Sequence, residues 1–100
     1  MDQTFHALTE PHRRQILELV KDKELTAGNI AARFDVTQPA ISQHLKILLE
    51  AGLLNVRRDG TRKLYRLRPE GLNQVRAYLE SFWEISLTKL KSAAETEEKS

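Results

Sequence analysis

The chain has 100 residues, 40% of them hydrophobic and 30% charged, with no cysteine. That is an ordinary balance for one domain with a modest core, and it excludes disulfides and thiolate metal sites. No apolar run is long enough to span a bilayer, and no basic segment with a following apolar core opens the chain, so the expectation is a soluble, cytoplasmic protein without membrane insertion.

The formal net charge of +2 hides an asymmetry. Residues 33–68 carry eight basic and three acidic groups, whereas residues 1–32 are net −1, residues 69–91 are balanced and residues 92–100 are net −2. Positive charge confined to one third of the chain implies a local polyanion-binding face. Residues 1–91 read as one domain, and 92–100 as a polar tail that frays.

In chain order, Asp2–Leu8 reads as a short helix with Phe5 and Leu8 on one face, broken by Thr9-Glu10-Pro11. His12–Lys23 reads as a second helix with Ile16, Leu17, Leu19 and Val20 as its apolar stripe. Thr26 is an N-cap for a third helix reaching Phe34 and burying Ile30, Ala31 and Phe34. After the turn at Asp35-Val36, Thr37 caps a fourth helix. Pro39 falls in its first turn, where a missing N–H costs nothing, and Gly52 ends it as the C′ residue. Ile41, Leu45, Leu48 and Leu49 form its apolar face; Gln38, Ser42, Gln43 and Lys46 lie opposite.

The period then changes from helical to two. Leu54–Arg57 and Lys63–Arg68 alternate about Asp59-Gly60, a dipeptide that favours a primed hairpin turn. Beyond Pro69, residues 70–91 read as one long helix, with Leu72, Val75 and Leu79 available to the core and Tyr78, Phe82, Trp83, Leu87 and Leu90 extending past it. The fold class is therefore mainly α with a two-stranded β-hairpin, in the order α-α-α-α-β-β-α: a winged helix-turn-helix.

Within that fold the fourth helix is the reader. Glutamine bonds adenine bidentately and serine bonds either kind of base edge, so Gln38, Ser42 and Gln43 near the N-terminus suit a major groove. Pro39 and Ala40 offer small apolar surface to a thymine methyl, and Lys46 suits phosphate. Taken alone, this face could be the solvated side of an amphipathic helix. Arg57, Arg58, Arg62 and Lys63 add a basic hairpin that folding does not require, although a hairpin alone could carry such charge for solubility or edge protection. The DNA-binding set is thus Thr37, Gln38, Pro39, Ser42, Gln43, Lys46, Arg57, Arg58, Arg62 and Lys63. The dimer-interface set is Phe5, Leu8, Tyr78, Phe82, Trp83, Leu87 and Leu90. No two of His6, His12 and His44 stand at i, i+4. The expectation is that His44 packs or touches phosphate, that the other two are surface groups, and that there is no metal site. No arrangement pairs a nucleophile with a base, so no enzyme is expected. Two other readings remain on the same residues: a protein-interaction module using the aromatic last helix, and an effector-gated sensor.

These residues resemble the ArsR/SmtB family of winged-helix repressors. The resemblance rests on Phe5-His6-Ala7-Leu8, Pro11 to Leu17, Val36-Thr37-Gln38-Pro39-Ala40-Ile41-Ser42-Gln43-His44-Leu45-Lys46, Leu48 to Leu54, and the Arg57-to-Tyr65 wing. It implies a homodimer joined by the first and last helices. It further implies repression at a palindromic double-stranded DNA operator, with Gln38, Pro39, Ser42 and Gln43 facing bases and the wing arginines on phosphate or minor groove. Metal-sensing members carry cysteines before the recognition helix, where this chain reads Asn29 to Val36 without one, or Asp and His ligands in the last helix, where this chain has no histidine. The resemblance is closest to the metal-independent branch, without a cofactor, whose members include repressors relieved by a partner protein acting as anti-repressor.

Overall fold

The computed structural model describes residues 2–83. The elements are α1 (Asp2–Leu8), α2 (Pro11–Leu19), α3 (Ala27–Ala31), α4 (Gln38–Glu50), β1 (Leu54–Asp59), β2 (Arg62–Leu67), a 3₁₀ turn (Pro69–Leu72) and α5, which is helical from 73 to 83. Mainly α with one antiparallel hairpin, this is the expected class and order.

Local chemistry explains the helix boundaries. Thr26 Oγ1 accepts from the Asn29 N–H at 3.1 Å and Thr37 Oγ1 from the Ala40 N–H at 3.3 Å, each satisfying a donor that the first helical turn leaves free. Glu10 does the same for α2, accepting from the Arg13 N–H at 3.1 Å. At the far end of α4, Gly52 takes φ +75°, and the N–H groups of Gly52 and Leu53 return to the carbonyls of Leu49 and Leu48, both at 3.0 Å. That pair of bonds is a Schellman closure, which needs a residue free to adopt left-handed φ.

Two helices are shorter than their sequence pattern. α2 ends at Leu19, not Lys23, because the Val20 carbonyl accepts from Leu67 of β2 at 2.9 Å and Leu25 bridges Tyr65 in both directions, at 3.1 and 2.8 Å. The chain must leave the helix to reach the sheet. α3 ends at Ala31, after which the N–H groups of Arg33 and Phe34 bond three residues back, tightening the turn towards α4. The hairpin is longer than expected: Asp59 pairs with Arg62, so the loop is Gly60-Thr61. Gly60 has φ +67° and Thr61 does not share a positive φ, the pattern of a II′ turn. The last helix begins as 3₁₀ at Pro69, and its expected continuation over 84–91, with Leu87 and Leu90, lies outside the described residues.

Ala7, Ile16, Leu17, Val20, Ile30, Ile41, Leu45, Leu48, Leu53 and Leu54 form one buried cluster where α1 to α4 meet the base of the hairpin. β1 buries only Leu54; its distal five residues are exposed. Val75 is buried and Leu72 packs on the cluster, but Leu79, read as available to the core, is 40% exposed: it stands one turn beyond Val75, in the stretch of α5 where Tyr78 and Phe82 are exposed as well.

Candidate nucleic-acid interface

The core fixes the exposed face of α4. Ile41, Leu45 and Leu48 point inward and are buried, which turns Gln38, Pro39, Ser42, Gln43 and Lys46 outward, and all five are exposed. Thr37 is exposed as well, but its hydroxyl oxygen is occupied as the N-cap acceptor.

In the hairpin, pairing decides which cations are free. Arg57 stands opposite Leu64, Arg58 opposite Lys63 and Asp59 opposite Arg62. Arg57 leaves the basic group: Glu24 grips it from the far side, Nε to Oε2 at 2.6 Å and Nη2 to Oε1 at 3.0 Å. The same hydrogen bond is the main reason that the Glu24 carboxyl lies below its ordinary range. Arg62 bonds Asp59 at 3.2 Å. Arg58 and Lys63, both exposed, have no ion-pair partner among the described residues and face each other across the strands. Like charges directly opposite destabilise a hairpin. Their juxtaposition is understandable if an external anion lies between or above them.

On α1 and α5, the Phe5 ring meets Tyr78 edge-on at 5.5 Å, and Tyr78 meets Phe82 in the same way at 5.1 Å. Phe5 and Leu8 are half-buried, while Phe82 and Trp83 are 57% and 58% exposed. Thus the described members of the expected interface set gather on α1 and α5.

Sequence reading missed two features. Arg13, only 6% exposed, donates from Nε to the Ala7 carbonyl at 2.7 Å and from Nη2 to the His6 carbonyl at 3.2 Å. Arg14 reaches the Leu8 carbonyl at 2.6 Å. Two adjacent cations therefore donate to the carbonyls at the C-terminal end of α1, the negative end of its dipole, where Thr9 also donates to His6. The second feature corrects the reading of His12 as a surface group. Packing of α2 on α4 stacks its ring on His44, centroids 5.7 Å apart and planes 13° apart. Its Nδ1 lies 2.9 Å from Glu10 Oε1, and this bond is the main cause of the lowered Glu10 carboxyl pKa. Burial pushes the His44 imidazole down, which agrees with its Nδ1 accepting from Arg13 Nη1 at 3.4 Å. The i, i+4 criterion looked only along one helix, and this cluster spans two.

An amphipathic helix with exposed polar readers, set after a tight turn and followed by a projecting basic hairpin, defines a winged helix-turn-helix DNA-binding protein. Residues 10–56 match the family described as "Bacterial regulatory protein, arsR family". The chain is similar to the HTH-type transcriptional regulator Rv2034 of Mycobacterium tuberculosis, 41% identical over 87% of this chain and 81% of the relative. It is also similar to the transcriptional repressor SdpR of Bacillus subtilis, 42% identical over 67% of this chain and 74% of that one. Among solved structures, a possible transcriptional regulator for arsenical resistance superposes with TM-score 0.73 at 47% identity, over 83% of this chain and 85% of that one. A homodimeric winged helix-turn-helix DNA-binding domain from Mycobacterium bovis gives TM-score 0.66 at 29% identity, over 83% and 77%. The chain belongs to the ArsR family and is a DNA-binding transcriptional regulator, in a group of regulators and not of enzymes.

Proposed function

We propose that this regulator is a cytoplasmic, homodimeric repressor that reads an inverted-repeat operator and binds it in the metal-free state. Gln38, Ser42 and Gln43 contact base edges, Pro39 packs against a thymine methyl, and Thr37 and Lys46 approach the backbone. Arg58 and Lys63 neutralise phosphates, Arg62 joins them by exchanging Asp59 for phosphate, and Arg57 holds the wing in place through Glu24.

The observation that carries the dimer is the aromatic face of α1 and α5. Phe5, Tyr78 and Phe82 form a chain of edge-on rings, and Phe82 and Trp83 are more than half exposed; exposed aromatic surface of that kind marks an interface. A two-fold axis through it would repeat the recognition helix on the partner, suiting half-sites about one helical turn, roughly 34 Å, apart. The named repressor SdpR and the homodimeric M. bovis domain support this reading. Relief of repression by a partner protein fits the same framework, with the partner competing for the wing or for the aromatic face.

Selection of bound duplexes from a random pool, at moderate salt with tag-free protein and chelator present, tests the proposal. Enrichment of an inverted repeat is the expected result. Enrichment of a single half-site, or of nothing until metal is added, would overturn the dimeric or the metal-free part respectively.

A further inference from the structure

We propose that Glu10, His12 and His44 form a binding site for one divalent transition-metal ion of the zinc class, joining the N-terminus of α2 to the recognition helix. It lies apart from the Asn29 to Val36 segment and from the last helix, and it is composed by tertiary packing. One ligand atom from each of the three residues lies within 4.8 Å of the others, and all three side chains are half-buried.

The geometry is close to that of a bound ion. Two atoms each about 2.1 Å from a tetrahedral centre are roughly 3.4 Å apart. His12 Nδ1 is 2.9 Å from Glu10 Oε1, and His44 Nε2 is 3.9 Å from Glu10 Oε2. These two distances end on different oxygens of the Glu10 carboxylate, and with one ligand atom from each residue within 4.8 Å of the others the three groups must close by about an ångström to reach that spacing. Two imidazole nitrogens and one carboxylate oxygen suit zinc, cobalt or nickel better than the oxygen-seeking magnesium and calcium or thiol-seeking copper(I). Three protein ligands leave a fourth position for water or another small donor.

Arg13 is the opposing charge, and it makes the site consequential. With Nδ1 of His44 accepting from Arg13, the His44 proton sits on Nε2. Ligation through Nε2 moves that proton to Nδ1, where it meets the Arg13 N–H head-on. The contact must open. Arg13 is itself held by the Ala7 and His6 carbonyls of α1, so the adjustment falls on His44 and hence on α4. Likewise His12 ligates through Nδ1 and carries its proton on Nε2.

The test is titration of the tag-free, full-length protein with Co²⁺, followed by its visible d–d absorption, and displacement by Zn²⁺. One ion per chain is expected, with binding weakened about 100-fold or more in His44→Gln and in His12→Gln. His6→Gln, outside the cluster, should bind as the parent does. Far-ultraviolet circular dichroism of each metal-free variant checks folding. His12→Gln is the safer substitution because the His12 side chain is 39% exposed and its one hydrogen bond is to Glu10. No saturable binding by the parent, or undiminished binding by a folded His12→Gln protein, would overturn the proposal.

Discussion

Both carboxylate oxygens of Glu24 hold the guanidinium of Arg57, at 2.6 and 3.0 Å. Glu24 precedes Leu25, whose backbone bridges Tyr65 of β2, so two consecutive residues pin the wing, one to each strand. Arg57 lowers the Glu24 carboxyl pKa. The contribution of the pair to stability is therefore complete above the ordinary carboxylate value near 4.5 and is lost as pH falls through the lowered folded value. The pair is solvent-exposed and screened by salt, so the effect on global stability is small. It should instead appear as local opening. Protection of the Leu25 and Tyr65 amides, taken against the intrinsic exchange rate at each pH, is expected to fall below pH 4.5 in the parent and to lose that pH dependence in Glu24→Gln; equal protection profiles would show that the pair does not hold the wing.

Freedom from internal partners should separate the wing cations by function. Arg58→Ala and Lys63→Ala are each expected to weaken binding to every duplex alike and to reduce the slope of log affinity against log salt by about 0.9. Arg57→Ala should leave that slope nearly unchanged, because its charge is already neutralised by Glu24. Gln43→Ala, on the reading helix, should keep the slope but relax preference at one base position, costing about 1–3 kcal/mol against the preferred base. Fluorescence anisotropy over a salt series, with matched and mismatched duplexes, distinguishes these outcomes.

Arg13 makes a structural prediction. Replacing it with Met keeps most of the apolar stem but leaves the Ala7 carbonyl without its side-chain donor and removes the bonds to the His6 carbonyl, to which Thr9 still donates, and to His44 Nδ1. Loss of these charge-assisted bonds at a buried helix end should cost about 2–4 kcal/mol. Arg14→Met removes one exposed bond to Leu8 and should cost under about 1 kcal/mol. Urea denaturation of the two variants should rank them in that order with similar m values.

What the sequence made legible was chiefly local. Thr37 and Pro39 start α4, and Gly52 ends it, through chemistry contained in a few consecutive residues. The same holds for Gly60 in the hairpin turn. The outward set on α4 followed from the inward set, since Ile41, Leu45 and Leu48 leave only one way for Gln38, Ser42 and Gln43 to face. What escaped depends on distant parts of the chain. α2 stops early because its end meets Leu67, Glu24 claims Arg57 from 33 residues away, and His12 finds His44 across two packed helices. None of these pairings has a spacing that could be recognised before the fold is known. Charge counting makes Arg57 equivalent to Arg58, although Glu24 holds Arg57 and Arg58 has no ion-pair partner among the described residues.

Two glycines should respond to alanine for different reasons. At Gly71 an added Cβ would stand 2.1 Å from the Gly52 carbonyl oxygen, a clash with backbone where the 3₁₀ turn crosses the α4–β1 corner. Gly71→Ala should cost about 3 kcal/mol. At Gly60 there is open space around the Cβ, but φ is +67°, so Gly60→Ala should cost only about 1–2 kcal/mol through backbone strain. Thermal denaturation should place Gly71→Ala well below Gly60→Ala; the reverse order would mean that the corner relaxes more easily than the turn.

The aromatic face yields the sharpest test of assembly. Phe82 and Trp83 are more than half exposed and Phe82 rests on Phe5 through Tyr78, whereas the core around Ile41 and Leu45 does not include them. A charge placed at Phe82 should therefore separate subunits without unfolding either one. Phe82→Glu is expected to sediment as a monomer while keeping the helical circular dichroism of the parent. Its affinity for a two-half-site duplex should fall about 100-fold or more, because each recognition helix loses the tether that makes the second contact intramolecular. Affinity for an isolated half-site should change little, since no residue of the α4 face or the wing is altered. A Phe82→Glu protein that remains dimeric would move the interface elsewhere on α1 and α5. A parent protein that sediments as a monomer would remove the need for a palindromic operator altogether.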